Sequence, residues 1–415
     1  MIQIGMLIIG NRKVFIIFYS LFLMIGCSAI NNKVIEKEKV TNNFLVDKNA
    51  TQETVNLFSN LKMIAETNVI FGQHDATNYG VGWRSDTTLR SDIKDVTNSY
   101  PGLYGWDFMF LIGDENKDTV KARMNRLVTE AFERGGVNTF CWHYNNPVTD
   151  KSFYDVNRVV EKILPGGGYY LKYLRDLDKI ADFANNLKDT TGNVVPIIFR
   201  PYHEFDGGWF WWGAPFCTKE EFKKLWITTV EYLRDKKGVR NFLYAFSPDR
   251  NFNNEDEFLE RYPGDEYVDI IGMDNYWDFG PEGAGLKGVT KKLEILTQIS
   301  EKRNKLAAMT ETGLEGVVNP KWFTERLFKT FDVDTVKIAY VMVWRNNDLK
   351  HHYAPYKGHP AADDFIQFRL NQKILFEDDL PNLYSRKLEK TDIELLEMNK
   401  KIKFLKAIGI KPLIP

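Results

Sequence analysis

The chain has 415 residues, and its 55 Lys and Arg against 56 Asp and Glu give a formal net charge of -1 at pH 7. A nearly neutral chain lacks the basic surface that nucleic acid requires, so we exclude nucleic acid and expect a neutral partner. Residues 51–384 form a stretch that suits one large α/β domain and is too long for a small binding module.

The first 27 residues have the pattern of a lipoprotein signal peptide. Two basic residues precede an apolar run at 14–25, which is too short to span a membrane as a mature helix. Gly26 before Cys27 resembles the site at which bacterial lipoproteins are cleaved and lipidated, and an ordinary cleaved signal with an incidental cysteine is the alternative. We expect a lipid on Cys27 to be the sole membrane attachment, at the bacterial cell envelope, facing either the periplasm or the outer-membrane surface.

Two further regions flank the predicted domain. Residues 28–50 are mostly polar, which predicts a tether between lipid and domain. Residues 385–415 are rich in Lys and Glu with a thin apolar stripe. This extension is expected to be either a helix packed on the outer wall or a frayed end, and the sequence predicts no role for it.

Cys141 and Cys217 are the cysteines that follow Cys27. In an oxidising compartment they could form a disulfide, although the sequence does not place their Cα atoms within bonding range. The alternative is two small buried thiols, and both alternatives stay open at this point.

Short apolar runs alternate with segments of helical period, which is typical of βαβ units and a parallel sheet. The helical spacing of apolar residues is clearest at 171–187 and 222–233. Eight strands with at least seven intervening helices predict a single (β/α)8 TIM barrel with extended loops, because a doubly wound sheet more usually stops at five to seven strands. The predicted strands are 69–72, 103–106, 137–142, 195–199, 242–246, 270–273, 306–309 and 338–343.

The active site of a (β/α)8 barrel lies at the carboxyl ends of the strands, so residues that end or follow each predicted strand are functional candidates. They are carboxylates, amides, histidines, aromatic residues and an arginine, without a glycine-rich phosphate loop, which indicates a neutral polyhydroxylated substrate. Sugar rings stack on Trp, and sugar hydroxyls need buried donors and acceptors. The candidates are Gln73, His74, Asp75, Trp106, Asp107, Trp142, His143, His203, Glu204, Asp249, Asp274, Asn275, Tyr276, Glu311, Trp344 and Arg345.

Glu204 and Glu311 are the predicted catalytic pair. Glycoside hydrolysis needs one protonated carboxyl to assist the leaving oxygen and one ionised carboxylate to attack or to activate water. The fourth and seventh strands face each other across the barrel, so the two carboxyls could approach to the ~5 to 5.5 Å that a retaining mechanism requires. Aromatic residues around Glu204 favour its protonated form, and small polar residues around Glu311 favour an ionised one. We therefore predict Glu204 as acid/base and Glu311 as nucleophile.

Three motifs resemble glycoside hydrolase family 26, in which β-mannanases predominate. They are RPYHE at 200–204 with WFWWG at 209–213, TETG at 310–313, and FGQHD at 71–75 with YGVGW at 79–83. The similarity runs from about residue 71 to residue 384 and implies a retaining enzyme of β-mannan or manno-oligosaccharides. We expect it to act as a monomer and to need no metal or organic cofactor.

The resemblance also implies roles around the cleaved bond. His203 would position the nucleophile or the substrate, Trp209 would line the subsite beyond the cleaved bond, and Tyr276 would hydrogen-bond Glu311. A packed Tyr276 ring with its hydroxyl on water is the structural alternative.

On the non-reducing side, the resemblance implies that His143, Trp344 and Arg345 bind sugars. A core histidine and an ordinary ion-pair arginine are the structural alternatives for His143 and Arg345. Asp274 is expected in a supporting or a subsite position. Trp106, at the end of the second predicted strand, is included among the expected substrate-binding residues.

The loop at 147–168 bears on the mode of cleavage. It is long enough to wall off one end of a cleft, which would make the enzyme release mannobiose from chain ends. An open cleft would instead give internal cleavage, as in an endo-1,4-β-mannosidase. The sequence leaves both modes open.

Three rival functions are considered. The same carboxyl pair would serve an enzyme of mixed-linkage β-glucan or xylan. A non-catalytic glycan-binding lipoprotein is disfavoured because both glutamates are present. A metal-dependent hydrolase with His74, Asp75, His143 and His203 as ligands is disfavoured because these residues lack the spacing of a His-x-His or His-Glu-x-x-His motif.

Overall fold

The computed structural model of the protein describes residues 44–84, 89–112 and 117–409. The predicted signal peptide, the lipidation site at Cys27 and residues 28–43 of the predicted tether lie outside these ranges. Within the described ranges, no helix combines the length and the apolar character needed to cross a bilayer.

In the described part of the chain, eight parallel strands close into a barrel, which confirms the predicted (β/α)8 fold. Each strand pairs with the next along the chain, and the first pairs with the eighth, with Ile70 opposite Tyr340. The strands are β1 (Val69–His74), β2 (Leu103–Asp107), β3 (Val137–Trp142), β4 (Ile197–Pro201), β5 (Phe242–Phe246), β6 (Ile270–Asn275), β7 (Leu306–Thr312) and β8 (Tyr340–Val343).

Small strands that the sequence did not predict extend this core. A two-residue strand, β9 (Ile374–Leu375), pairs in parallel with the amino end of β1, at Val69 and Ile70. The two-residue strands Tyr79–Gly80 and Trp83–Arg84 form a short antiparallel hairpin in the loop after β1. Strands of two residues leave no periodic signal in a sequence.

Helices occupy the connections, and several short turns of 3₁₀ or π type lie between them. The α-helices are α1 (Gln52–Ile64), α2 (Asp92–Thr97), α3 (Met109–Ile112), α4 (Lys117–Glu133), α5 (Val160–Ile163), α6 (Tyr170–Asn186), α7 (Lys219–Glu231), α8 (Glu255–Leu259), α9 (Gly285–Arg303), α10 (Ala362–Leu370) and α11 (Lys390–Ala407). The 3₁₀ and π segments are Tyr232–Lys236, Asp265–Tyr267, Trp277–Phe279, Glu315–Val317, Phe323–Leu327, Phe328–Thr330 and Glu377–Asp379.

Helix α7 shows how local sequence starts a helix and orients it. Thr218 caps its first turn, accepting from the Glu221 backbone N–H at 3.1 Å while the Glu221 carboxylate accepts from the Thr218 N–H at 2.7 Å. This reciprocal capping satisfies two donors that the helix leaves unpaired. The helix then buries one stripe, which includes Phe222, Leu225 and Trp226, and this burial holds it against the barrel.

Two strand boundaries differ from the prediction and affect the site. Strand β4 begins and ends two residues later than predicted, at Ile197–Pro201, which brings Glu204 closer to the strand end. Strand β7 extends to Thr312, so Glu311 lies within the strand instead of after it. The pairing register with both neighbouring strands shifts near this point, which is the signature of a bulge that re-aims a side chain.

The described part of the tether lies beneath the barrel. The Val46 N–H donates to Asp269 Oδ1 at 2.8 Å, and the Thr51 N–H donates to the Arg240 carbonyl at 2.8 Å. Asp269 precedes β6 and Arg240 precedes β5, so residues 45–51 pass under the amino ends of these strands.

The carboxyl-terminal extension contains a packed helix, so the frayed alternative does not hold for α11. Ile393, Leu396 and Lys400 of this helix are buried. The Lys400 ammonium donates to Asp379 Oδ2 at 2.9 Å and to the Arg369 carbonyl at 3.0 Å. A buried ammonium with two acceptors ties the helix to the wall of the domain.

Cys141 and Cys217 are both buried and free, so the disulfide alternative is not realised. Cys141 Sγ lies 3.7 Å from His143 Nδ1, and the Cys217 thiol donates to the Thr218 carbonyl at 3.3 Å. Burial raises the pKa of both thiols, and each therefore stays protonated at neutral pH.

Candidate active site

A cavity of about 890 Å³ lies at the carboxyl ends of the strands. Glu204 and Glu311 both line it, as do the aromatic residues Trp209, Tyr276 and Trp344. The structure therefore gathers most of the predicted site into one cleft, at the end of the barrel where the fold places active sites.

Glu204 lies on a tight turn just after β4. Its φ angle is 54° and that of Tyr202 is 50°, both in the left-handed region that side chains disfavour. The Glu204 N–H donates to the Ser247 carbonyl at 2.9 Å, which fixes the turn against the end of β5. The half-buried carboxylate accepts the Trp209 indole N–H at 2.5 Å, so the side chain has a defined orientation in the cleft. Strained backbone of this kind often marks a functional site.

The surroundings of Glu204 favour its protonated form. Burial raises its pKa well above the ordinary value for a glutamate, and the negative charges of Asp274 and Glu311 raise it further. The hydrogen bond from Trp209 opposes this shift but does not reverse it. A carboxyl that keeps its proton near neutral pH can act as a general acid.

Glu311 lies among donors that stabilise a negative charge. The Arg200 guanidinium donates to Glu311 Oε1, and the Tyr276 hydroxyl donates to Glu311 Oε2 at 3.0 Å. Both carboxylate oxygens are thus held, and the side chain is almost fully buried at the cleft floor. These two hydrogen bonds fix the orientation of the Glu311 carboxylate.

Arg200 is a functional residue for which the sequence predicted no role, although it lies in the quoted RPYHE motif. It projects from β4, is buried, and donates to Asp274 Oδ2 at 2.6 Å as well as to Glu311. A third bond runs to Ser247 Oγ at 3.2 Å. A buried arginine needs several acceptors, and an arginine directly after the apolar run at 195–199 was the available signal.

Asp274 lies behind the wall of the cleft instead of in a sugar subsite. It is fully buried and does not line the cavity. Its two oxygens accept from Arg200 and from Thr310 Oγ1, the latter at 2.7 Å. Of the two positions expected for Asp274, the structure therefore shows the supporting one.

A chain of three polar side chains crosses the cleft wall. His143 Nδ1 lies 2.6 Å from Asp107 Oδ2, and His143 Nε2 lies 3.2 Å from His203 Nε2. Burial and the Arg200 charge lower the pKa of His203 well below the ordinary histidine value, so this ring is neutral. His143 and His203 both line the cavity, where imidazole nitrogens can hydrogen-bond sugar hydroxyls.

Trp344 forms the wall on the side of β8 and β1. Its ring stacks on His74 with a centroid distance of 4.1 Å and an interplanar angle of 26°. Arg345 lies beside it but does not line the cavity, and its guanidinium donates to the Tyr79 hydroxyl at 2.9 Å. That hydroxyl in turn donates to Asp75 Oδ2 at 2.5 Å, so Asp75 and Arg345 support the rim of the cleft.

The expectation that Trp106 binds substrate is corrected by the structure. Its ring is fully buried, and its indole N–H donates to Asn138 Oδ1 at 2.8 Å. Asn138 also donates to the Val128 carbonyl of α4, so Trp106 lies on the outer face of the barrel, under a helix. The neighbouring Asp107 points inward, as alternation along a strand requires.

The remaining strand-end candidates divide into two groups. Asp249 lines the cavity and forms an ion pair with Arg250. Gln73, Trp142 and Asn275 are buried and do not line this cavity, so they belong to the packing around it.

Loops bring further aromatic residues to the cleft that the strand pattern did not predict. Tyr154, Trp277 and Tyr353 line the cavity and come from the loops after β3, β6 and β8. The Tyr353 ring packs over Gly313, whose φ of 151° and closeness to that ring exclude a side chain there. Tyr154 lies in the long loop predicted at 147–168, and the position of such loop residues in space is not encoded in a strand pattern.

Two side-chain clusters in the described residues have the composition of a metal site. They are Asp107 with Cys141 and His143, and His203 with Asp274 and Glu311. In the first, Asp107 and His143 already bond to each other, and the thiol is protonated. In the second, the Arg200 guanidinium holds both carboxylates, and a metal cation would have to displace it. These donor sets therefore fit a hydrogen-bonded network better than a metal centre.

Comparison with known proteins agrees with this geometry. The profile of glycosyl hydrolase family 26 matches residues 46–358. The structure of GH26C from Muricauda sp. MAR_2010_75 shares 42% sequence identity, covers 83% of this chain and 96% of that chain, and has a TM-score of 0.79. A GH26 β-mannanase from Bacteroides ovatus shares 41% identity over 82% of this chain and 98% of that one, with a TM-score of 0.76.

A mannan endo-1,4-β-mannosidase from Bifidobacterium adolescentis is 34% identical over 354 residues, which are 79% of this chain and 35% of that protein. The chain thus spans about a third of the length of this relative. The family match covers most of the barrel and includes both glutamates of the cleft. The chain belongs to glycosyl hydrolase family 26, as its motifs predict.

Proposed function

We propose that this protein is a retaining β-mannanase that hydrolyses β-1,4-mannosidic bonds, with Glu204 as acid/base and Glu311 as nucleophile. The observation that carries the proposal is the contrast between the two carboxyls of one cleft. The pKa of Glu204 is raised by burial and by neighbouring negative charge, whereas Glu311 accepts hydrogen bonds from Arg200 and Tyr276. Carboxyls with such different environments can divide acid and nucleophile roles.

The mechanism follows from these contacts. Glu204 donates its proton to the glycosidic oxygen while Glu311 attacks the anomeric carbon, and the leaving sugar chain departs. Glu204, now ionised, takes a proton from water as the oxygen of that water attacks the anomeric carbon of the glycosyl–enzyme. The bond to Glu311 breaks, and the product leaves with its original anomeric configuration.

Azide separates the two roles. An aryl β-mannobioside carries a leaving group that needs no acid, so Glu204→Ala should form the glycosyl–enzyme and hydrolyse it slowly. Azide needs no general base, and it should accelerate this variant and give the β-mannobiosyl azide. In Glu311→Ala, azide attacks the substrate directly and should give the α-azide. Azide products of the opposite configuration would make Glu311 the acid/base and Glu204 the nucleophile.

A matched control uses a glutamate far from the cleft. Glu301 is an exposed residue in the last turn of α9, and Glu301→Ala should match wild type. Loss of activity in this control would show that a glutamate substitution damages the fold in general. Thermal unfolding of all variants checks this point independently.

We propose mannan as the substrate and internal cleavage as its mode. Support comes from the similar proteins, which carry the names β-mannanase and mannan endo-1,4-β-mannosidase. Purified protein should release a mixture of oligosaccharides from linear mannan at the earliest times. Mannobiose alone would indicate release from chain ends. Cleavage of β-glucan or xylan in place of mannan would refute mannan as the substrate but would leave the proposed catalytic pair unaffected.

We also propose that Cys27 carries a lipid that holds the enzyme at the bacterial cell envelope. The support is the sequence pattern, an apolar run at 14–25 followed by Gly26 and Cys27. Expression in a bacterium with a labelled fatty acid should give a labelled, membrane-associated protein. The Cys27→Ser protein should be unlabelled, and equal labelling of both proteins would refute the assignment.

A further inference from the structure

Trp277 is an exposed aromatic residue of the cleft to which the proposed mechanism gives no role. Trp277 follows Tyr276 after β6, lines the cavity and keeps 50% of its surface exposed. Single exposed apolar residues are common on protein surfaces, so it is the position of this ring in the cleft and the contact that orients it that indicate a role.

The ring of Trp277 is held in place from a second loop. The Arg250 guanidinium lies over it at 5.1 Å from the ring centroid, and Arg250 forms an ion pair with the buried Asp249. Both residues follow β5 and line the same cavity. The hydrogen bond to Asp249 limits the freedom of the arginine, and the cation–π contact limits that of the indole. The result is a pre-oriented aromatic surface, which lowers the entropic cost of binding.

The order of strands around the barrel places this surface on one side of the catalytic pair. Glu204 follows β4 and Glu311 lies on β7, so these two strands divide the mouth into two halves. His143 follows β3, and Trp344 and Arg345 follow β8; these three residues are the ones expected to bind sugars on the non-reducing side. Arg250 and Trp277 come from β5 and β6, in the other half.

We propose that Trp277, backed by Arg250, is a sugar-stacking platform for the leaving part of the substrate, farther from the cleaved bond than the Trp209 subsite. This inference rests on the proposed function, because it takes a β-linked sugar chain to run across the cleft. The CH face of one pyranose packs on the indole, and the Arg250 N–H groups donate to its hydroxyls.

The test compares a long substrate with one that lacks the sugars in question. Mannohexaose can place several sugars beyond the cleaved bond, whereas 4-nitrophenyl β-mannobioside places only its aryl group there. We expect Trp277→Ala to lower the ratio of kcat/KM on mannohexaose to kcat/KM on the mannobioside about tenfold, and to move the main cleavage position. Trp277→Phe should lower this ratio less, because a smaller ring remains.

A second variant avoids any disturbance of Tyr276. Arg250→Gln leaves the loop after β6 intact but removes the cation, and it should lower the same ratio about two- to fivefold. Tyr169→Ala is the control, because Tyr169 is 40% exposed but does not line the cavity, and its ratio should equal that of wild type.

The outcomes separate this inference from the proposed function. If wild type cuts both substrates and the Trp277→Ala ratio and cleavage position match wild type, the platform is refuted and the catalytic assignment stands. An equal fall on both substrates would also refute the platform, because it would indicate damage to the catalytic centre. If wild type cuts neither substrate, the proposed function fails and the platform fails with it.

Discussion

Arg200 and Asp274 form a buried ion pair directly behind Glu311, the proposed nucleophile, with Arg200 Nη1 2.6 Å from Asp274 Oδ2. The other guanidinium nitrogen donates to Glu311, so one cation is shared by two carboxylates of neighbouring strands. Because of this sharing, the orientation of Glu311 depends on Arg200 of β4, on the opposite side of the barrel.

Arg200→Lys should therefore fold but work poorly. Lysine keeps the positive charge and loses the fork that reaches both carboxylates, so we expect kcat to fall about 10- to 100-fold. Arg200→Met leaves two buried carboxylates without a cation and should cost about 3 to 5 kcal/mol of stability. Steady-state kinetics and denaturant unfolding measure the two effects. A Lys variant with wild-type kcat would show that Arg200 neutralises charge without positioning Glu311.

Asp274→Asn should shift the basic limb of the pH profile. Burial and then the charge of Asp274 raise the pKa of Glu204, so removal of this charge lowers that pKa. Glu204, the proposed acid, must be protonated to work, so activity should be lost as pH rises through the pKa of Glu204. The basic limb of kcat/KM should therefore move to lower pH in the variant. A limb that stays in place or moves to higher pH would show that another group sets it.

Asp249 should make stability depend on pH. Burial and then the charge of Asp206 raise its pKa from 3.8 to about 7, against the opposing charge of Arg250. Between these values the folded chain holds a proton that the unfolded chain has released, so the free energy of unfolding falls as pH rises from about 4 to about 7. Asp249→Asn lacks this contribution.

Denaturant unfolding of both proteins across this range gives the measurement. The stability of wild type relative to Asp249→Asn should decrease with rising pH. Asp75 and Asp269, whose pKa values are both raised by burial to about 6, are present in both proteins and cancel in the difference. A pH-independent difference would contradict the raised pKa of Asp249.

Trp106 and Trp344 should respond oppositely to substitution. Trp106→Ala removes a fully buried ring between β2 and α4, and we expect a loss of about 3 to 5 kcal/mol in the free energy of unfolding with an unchanged KM. Trp344→Ala removes a ring of the cleft wall, and we expect a clearly higher KM with a smaller loss of stability. A raised KM for Trp106→Ala would restore it as a substrate contact.

These two residues also show how far the sequence could predict the site. Both end apolar runs of the chain, and the carboxyl ends of the strands are where an active site was expected. Parallel strands are apolar on both faces, so their sequence does not say which residue faces the barrel interior. Trp106 points outward and Asp107 points inward, and only the packing in the folded structure distinguishes the two positions.

The place of Glu204 and Glu311 in one cleft was predictable because it follows from strand order, and strand order is visible in the alternation of strands and helices. The contacts of Arg200 were not, because they join β4, β6 and β7, and no local pattern records which side chains of distant strands meet. Trp277 and Tyr154 lie on loops, where the path of the backbone decides whether a ring reaches the cleft.

The path of residues 45–51 beneath the barrel has a geometric consequence for the proposed anchor. The chain enters the domain at the amino ends of β5 and β6, and the cleft opens at the carboxyl ends of all eight strands. The proposed tether would therefore join the domain at the end of the barrel opposite the cleft. Attachment at that end would leave the mouth of the cleft clear of the tether, so that a long polymer could reach Glu204 and Glu311 without contacting it.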